Sequence, residues 1–489
     1  MDIALRFDNH RERSLRRQLY EELRGAILGG RLSAGCRVPS TRALAESLGI
    51  SRTTVTECYE DLISEGYLHA KIGSGTFVCD DLPEKLLKVA PSPTSNSVAK
   101  QTRLPARLSA YGKRVLEMPL GDAEGQMPLN FAHWRPAFDH LPLRAWRRLI
   151  TRHIHPAEAT NFDYSEDPLG HQPLRDAIAR YLAKSRAVRC EPSQVIICAG
   201  AQGAMDLITR VLVDPQDEVA IEDPGYLGAR NIFAAQGAKL LPVRLDESGL
   251  NVDELKSKSS SKTRFVYVSP SHQFPTGVLL SLSRRLELLS WAHEQNAFVI
   301  EDDYDSEYRY RGRPVPALQG LDQNERVIYV GTFSKVLFPS LRLGYMVIPG
   351  SLVDSLARAK RLTDRQSPLI EQCALTDFIN EGHLERHIRR MRTLYGQRRQ
   401  ALVDALSVHL SGRASIVGDE AGMHLMVRLK TALTDSQLIA RAAKRGVELV
   451  SARPYYLQAK YNDEFIFGYS NLTERQIITG VKKLSGVLI

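Results

Sequence analysis

A chain of 489 residues is longer than one hydrophobic core can serve, so at least two domains and three lobes are expected. The apolar share of 43% and charged share of 25% are those of an ordinary globular protein, and no run of about 18 apolar residues occurs, which excludes a transmembrane helix. A formal charge of +9 suits a polyanionic partner, yet residues 1–80 carry 11 Lys/Arg against 11 Asp/Glu, so a case for DNA must rest on where side chains sit.

The chain opens on "MDIALRFDNHRERS", which lacks the apolar core of a secretory signal. The six cysteines include no CxxC pair, so neither disulfides nor a metal site is expected, and the cytoplasm is the expected location. Leu15, Leu19, Leu23 and Ile27 recur every four residues, one apolar face of a helix that Gly29 and Gly30 end. In "STRALAESLGISRTTVTECYEDLISEGYL", Ser40 caps a short helix and Gly49 suits a left-handed turn. Ser51 then caps a second helix that buries Val55, Tyr59, Leu62 and Ile63. Two helices about a glycine turn make a helix-turn-helix. Ser51, Arg52, Thr53 and Thr54 stand at the exposed start of the second helix, where a recognition helix meets base edges and phosphates. Arg42 on the first helix is placed to reach the DNA backbone. "GYLHAKIGSGTFV" alternates like a hairpin, a wing carrying Lys71 and Gly73. A small helical domain that binds protein would share much of this pattern.

The stretch from Val38 to Val78 resembles the winged-helix domain of GntR-type bacterial transcriptional regulators over nearly its whole length. The resemblance implies DNA contacts at Arg42, Arg52, Thr54 and the wing glycines. The DNA-binding domain is expected over 10–80. Residues 81–127, with "APSPTSNSVAKQTRLPARLS", read as a flexible linker, and a large domain is expected over 128–489.

In that large domain, short apolar runs alternate with amphipathic stretches: "VIIC", "EVAIE", "FVYVS", "FVIEDD", "VIYVG" and "GYMVI". Such runs predict a mostly parallel sheet covered on both faces, with ligands at the C-terminal strand ends. No GxGxxG follows a strand and no GxxxxGK[ST] occurs, so dinucleotide and nucleoside triphosphate sites lack support. The strand ends supply a different set. "AGAQGAMDL" opens a helix able to cradle a phosphate, "DPGY" delivers Tyr226, "FVIEDDY" delivers Asp302 and Tyr304, and "GTFSKVLFPSLRLGY" delivers Lys335 and Arg342. That inventory suits pyridoxal 5′-phosphate: an amine for a Schiff base, a carboxylate for the pyridine nitrogen, an aromatic ring to stack, a phenol for the ring oxygen and an arginine for the phosphate. Each residue also has an ordinary reading. Asp302 suits a solvated acidic run, the tyrosines suit a half-buried core, and Arg342 suits a surface ion pair.

Residues 128–489 resemble a fold-type I aminotransferase. On that resemblance Lys335 is the Schiff-base residue, Asp302 the pyridine partner, Tyr304 the ring-oxygen partner and Tyr226 the stacking ring. Ala201, Gln202, Thr332, Ser334 and Arg342 hold phosphate, and Tyr164 reaches the cofactor of a partner subunit, which implies a homodimer. The whole chain resembles the MocR/GabR family. The expected architecture is therefore multidomain: a winged helix-turn-helix, then an α/β aminotransferase fold-type I domain with a mostly parallel sheet and a smaller C-terminal α+β lobe from about 380 to 489. The family implies a regulator that holds pyridoxal phosphate, senses an amino compound and changes how a dimer sits on operator DNA. Two departures from working aminotransferases point the same way. Phe274 replaces the asparagine of an "NPTG" turn, with His272 or Gln273 placed to compensate, and Ile466 replaces a late arginine that clamps substrate carboxylates. Arg453, Arg230 and His272 are the candidate effector contacts, though both arginines equally suit structural or surface roles. Because Lys335 and Asp302 are intact, a genuine aminotransferase with an appended DNA-binding domain is the alternative. A third possibility is that the cofactor is itself the signal.

Overall fold

The structure, a computed structural model, describes residues 14–71, 73–83, 107–118, 127–132, 135–155, 162–310, 315–418, 420–458, 461 and 463–488. The chain divides into two compact units, Met1–Ala106 and Arg107–Ile489.

In the first unit, α1 (Leu15–Leu28), α2 (Thr41–Leu48) and α3 (Arg52–Ser64) precede an antiparallel hairpin of β1 (Leu68–Lys71) and β2 (Gly75–Val78). Caps set the helix boundaries. The side chains of Ser14, Ser40 and Ser51 each accept a backbone N–H of the first turn, and Gly49 takes the left-handed conformation (φ 65°) that ends α2. Leu19, Val55 and Leu62 are wholly buried, each contributing about 2 kcal/mol. Leu15 and Ile63 leave their predicted core positions, 45% and 36% exposed, and Cys58 is buried instead. A strict four-residue repeat rotates off a face whose true period is 3.6.

The second unit begins with α4 (Ala110–Glu117), which lies inside the predicted linker. Ser109 caps it, and Arg114 Nε donates to Ala235 O at 2.8 Å. The Pro/Ser/Thr-rich composition that suggested a tether ends before this helix. Residues 84–106 and 119–126 of the linker lie outside the described residues. The large sheet contains β3 (Val195–Cys198), β4 (Glu218–Asp223), β5 (Lys239–Asp246), β6 (Gly249–Leu250), β7 (Thr263–Val268), β8 (Phe298–Asp303), β9 (Val327–Thr332) and β10 (Gly344–Val347). Their order is β3-β10-β9-β8-β7-β4-β5-β6; the central pairs are parallel, while β10 runs antiparallel to both its neighbours. Strand β5 was not predicted because Pro242 and Arg244 interrupt the apolar run of "KLLPVRLD", and β6 because it has only two residues. Helices cover both faces of the sheet. The C-terminal part holds a long helix, His383–His409, and an antiparallel sheet of four strands that includes Glu464–Gly468. No helix among the described residues is long and apolar enough to cross a membrane.

Candidate functional site

Strand β8 divides its acids. Pleating sends Asp302 to one face and Glu301 and Asp303 to the other, and all three are buried, so they are not a solvated acidic run. On the far face, Asp303 pairs with Arg186 at 2.7 Å and accepts from Tyr329 Oη at 2.5 Å. On the near face, the β7–β8 register sets Tyr267 beside Ile300, and the Tyr267 hydroxyl donates to Asp302 Oδ2 at 2.5 Å. Asp302 Oδ1 is buried and has no hydrogen-bond partner among the described residues. Burial, with Asp303 and Asp305 nearby, pushes the Asp302 carboxyl up to about 7, against the pull of Tyr267 and Lys335. A sealed, unpartnered carboxylate oxygen suits one thing well: a cationic N–H such as that of a pyridinium.

Ionising this carboxyl costs the cofactor-free protein stability, a cost absent at acid pH and complete once pH has risen past about 7. Asp302→Asn is therefore expected to melt higher than wild type, both free of cofactor, by a few degrees at pH 8.5 and by less at pH 5. The same variant should lose its hold on pyridoxal phosphate. Calorimetry at the two pH values checks the first expectation, and a gain equal at both would contradict it.

The remaining groups gather around that carboxyl. Asp302, Tyr304, Tyr226, Lys335 and Arg342 line one cavity of about 160 Å³ with Ala201, Gln202, Thr332 and Ser334. Lys335 sits half-buried on the loop after β9, its carbonyl accepting from Tyr308 Oη at 3.3 Å. Helix Gly200–Leu212 points its start at the cavity and has no side-chain cap, so its first-turn N–H groups face the lumen side where an anion would sit. Arg342 donates to Ala199 O at 3.0 Å beside that helix end and holds a left-handed backbone (φ 51°), a conformation rare outside glycine. Ser334 N donates to Thr332 Oγ1 at 3.1 Å, which fixes the hydroxyl-bearing turn. Burial pushes the Tyr226 phenol up to about 12, and Gln202 bonds to it. These residues fit pyridoxal phosphate: an unpartnered carboxylate oxygen, a lysine and an arginine beside an uncapped helix start share one pocket.

Other predicted contacts lie elsewhere. Tyr164 is 69% exposed, with Arg365 stacked over its ring at 4.1 Å, and does not line the cavity of its own chain. Arg453 lies 3.6 Å from Asp435 and outside the cavity. Arg230 lines a small neighbouring cavity behind Tyr226 with Glu222, Tyr267 and Tyr455; its Nη1 is buried without a hydrogen bond, and burial lowers its guanidinium. His272 does not line the cavity; its ring bonds Asp305 and Tyr304. Gln273 is committed to Pro224 O at 2.9 Å and Thr276, so it cannot replace the missing asparagine. Ile466 is wholly buried and packs with Phe274, Met426, Ala452 and Tyr455. Tyr267 was missed as a site residue. The signal was a phenol among the buried apolar residues Phe265, Val266 and Val268 of its strand.

In the first unit, Arg42, Arg52 and Thr53 are exposed, as are Lys71 and Gly73 on the wing. The hydroxyls of Ser40 and Ser51 serve as caps, accepting from Ala43 N at 3.2 Å and Thr54 N at 3.1 Å, and Thr54 Oγ1 lies 2.8 Å from Ser51 Oγ.

Fold and pocket together define a pyridoxal-phosphate protein of the aminotransferase fold joined to a DNA-binding winged helix. Residues 128–478 match the family model of aminotransferase class I and II, and residues 15–78 match that of bacterial regulatory proteins, gntR family. The probable rhizopine catabolism regulatory protein MocR of Rhizobium meliloti is 38% identical over 97% of this chain and 94% of its own length. The pyridoxine biosynthesis transcriptional regulator PdxR of Corynebacterium glutamicum is 30% identical over 97% and 96%. A solved kynurenine aminotransferase from Pyrococcus horikoshii, in complex with PMP, is 29% identical; it covers 79% of this chain and 96% of its own with a TM-score of 0.69. The chain belongs to the MocR-type family of GntR transcriptional regulators. It is a DNA-binding regulator with a pyridoxal-phosphate-binding, aminotransferase-like domain.

Proposed function

We propose that the large unit is a sensor in which Lys335 holds pyridoxal phosphate and an amino compound competes with that lysine, changing how a homodimer binds its operator in the cytoplasm. When bound, the cofactor supplies an electrophilic carbonyl carbon and an electron-withdrawing ring. The chain's own residues do the rest. Asp302 holds a proton at the ring nitrogen, Tyr226 stacks, and Arg342 with Thr332, Ser334 and the start of helix Gly200–Leu212 binds the phosphate. Tyr164 serves the partner subunit's cofactor. The observation that carries this reading is the sealed, unpartnered Oδ1 of Asp302 in the cavity that also contains Lys335.

An acid group on the effector is supported by Arg230, whose Nη1 is buried without a hydrogen bond beside Tyr226. Arg453 would join it by leaving the buried Asp435, which keeps its hydrogen bonds from Ser436 N and Ser451 Oγ. The test is visible absorption of the full chain loaded with pyridoxal phosphate, titrated with small amines, alongside its binding to promoter DNA flanking its gene. A band near about 420 nm that one amine shifts, together with altered DNA affinity, is expected. A protein that stays colourless after loading overturns the cofactor sites. The intact Lys335 and Asp302 favour one second reading, slow aminotransfer, which steady keto-acid production near about one turnover per second would establish. Altered DNA affinity on loading alone, indifferent to every amine, would make the cofactor itself the signal.

A further inference from the structure

Asp305 and Tyr304 meet at one nitrogen. His272 Nδ1 lies 3.0 and 3.1 Å from the two oxygens of Asp305 and 2.9 Å from the Tyr304 hydroxyl. A carboxylate only accepts, so Nδ1 carries the ring proton and directs it to Asp305. A nitrogen that already bears a proton cannot accept one, so the Tyr304 hydroxyl hydrogen must point elsewhere. Tyr304 lines the cavity shared with Asp302 and Lys335.

We propose that His272 is a positioning residue: with its Nδ1 proton committed to Asp305, it denies Tyr304 an acceptor and turns the Tyr304 hydroxyl proton into the cofactor pocket. The inference rests on the seating of the cofactor proposed above and explains how the chain works without the asparagine that Phe274 replaces. The other phenols of the cavity are occupied, Tyr267 as donor to Asp302 and Tyr226 with Gln202.

The ring is clamped. His272 is 3% exposed and, among the described residues, its Nε2 has no hydrogen-bond partner, so its hydrogen bonds come from the Nδ1 side. Gly422 (φ 85°) packs so closely that a Cβ there would lie 1.9 Å from His272 Cε1, and one on Gly277 would lie 3.3 Å from Nε2. His424 packs on the ring at 5.0 Å, its own Nε2 3.1 Å from Pro275 O; burial and His272 hold it well below the usual histidine range. The acidic groups around Tyr304 are Asp305, Asp302, Glu222 and Asp303, and Lys335 shares its cavity. With burial as the larger cause the four acids raise its phenol well above the ordinary value, which keeps it a proton donor.

A donor at the cofactor's ring oxygen draws charge from that oxygen and loosens the proton it shares with the Lys335 nitrogen. Loss of the donor raises the pH midpoint of the visible band. In the full chain loaded with pyridoxal phosphate, His272→Phe keeps a flat ring but removes the N–H that occupies Asp305, which leaves that carboxylate, the nearest charge to Tyr304, free to draw the phenol's hydrogen away from the pocket; the midpoint should rise by about one pH unit. His272→Asn, which keeps an N–H, should leave it within about 0.3 of wild type, and in a Tyr304→Phe background His272→Phe should add less than about 0.3. An unmoved midpoint in His272→Phe, or an equal rise with Tyr304 absent, overturns the inference while the cofactor reading stands. If His272→Phe fails to fold, the asparagine variant decides, and a rise there overturns the proposal. A wild type with no visible band after loading sinks both.

Discussion

Lys335→Ala is expected to abolish the visible absorption of the loaded protein and every spectral response to amines, while its DNA affinity without effector stays within about threefold of wild type. Among the described residues, no other side chain lining the cavity is a primary amine, so none of them can replace it. The lysine lies on the loop after β9 in the unit Arg107–Ile489, whereas the residues expected to contact DNA belong to the unit Met1–Ala106, which has its own core of Leu19, Val55 and Leu62. Loss of the lysine therefore removes sensing without unfolding the reader. Spectra and gel-shift titrations of both proteins check this, and a Lys335→Ala protein that still changes its DNA affinity with an amine would show that the effector binds without capture by the cofactor.

Arg52→Ala should weaken operator binding by about tenfold to a hundredfold at constant salt, corresponding to about 1–3 kcal/mol. Arg52 opens α3 with an exposed side chain that makes no hydrogen bond or ion pair among the described residues, while its backbone carbonyl accepts from Thr56 Oγ1 at 3.0 Å. The substitution thus removes a charge at the recognition surface at no cost in stability. Ser51→Ala is the contrast. It removes the cap that accepts from Thr54 N, so it should lower the melting point of the first unit by an amount corresponding to about 1 kcal/mol. Salt titrations separate the roles of Arg52. A slope reduced by about one identifies a phosphate contact, and an unchanged slope with relaxed sequence preference identifies a base contact. Equal affinity of wild type and Arg52→Ala at all salt concentrations would remove this helix start from the interface.

Much of the architecture could be read from local pattern, because local physics sets it. A serine cap at 40, a left-handed glycine at 49 and a second cap at 51 need no tertiary partner, and they set the edges of α2 and α3. Strands such as "FVIEDD" and "VIYVG" announce themselves as continuous apolar runs, since both faces of a covered parallel sheet are buried. The same logic put Asp302, Lys335 and Arg342 at strand ends. It failed for "KLLPVRLD", an outer strand with less to bury, and for the helix at 110–117, hidden beside a Pro/Ser/Thr-rich stretch.

By itself, then, the sequence determined the two-part organisation, the parallel sheet and the identity of the groups that meet at its ends, because residue type and period depend on neighbours in the chain. Pairing across the sheet and around the pocket was decided only by tertiary structure. The β7–β8 register brought Tyr267 to Asp302, and the approach of Gly422 clamped His272 between Asp305 and Tyr304. Burial raised the Asp302 carboxyl and left its Oδ1 open. A hydrogen bond spanning some 30 residues, or a glycine that packs on a ring 150 positions away, leaves no period in the sequence, because its cause is the meeting of separate elements in space.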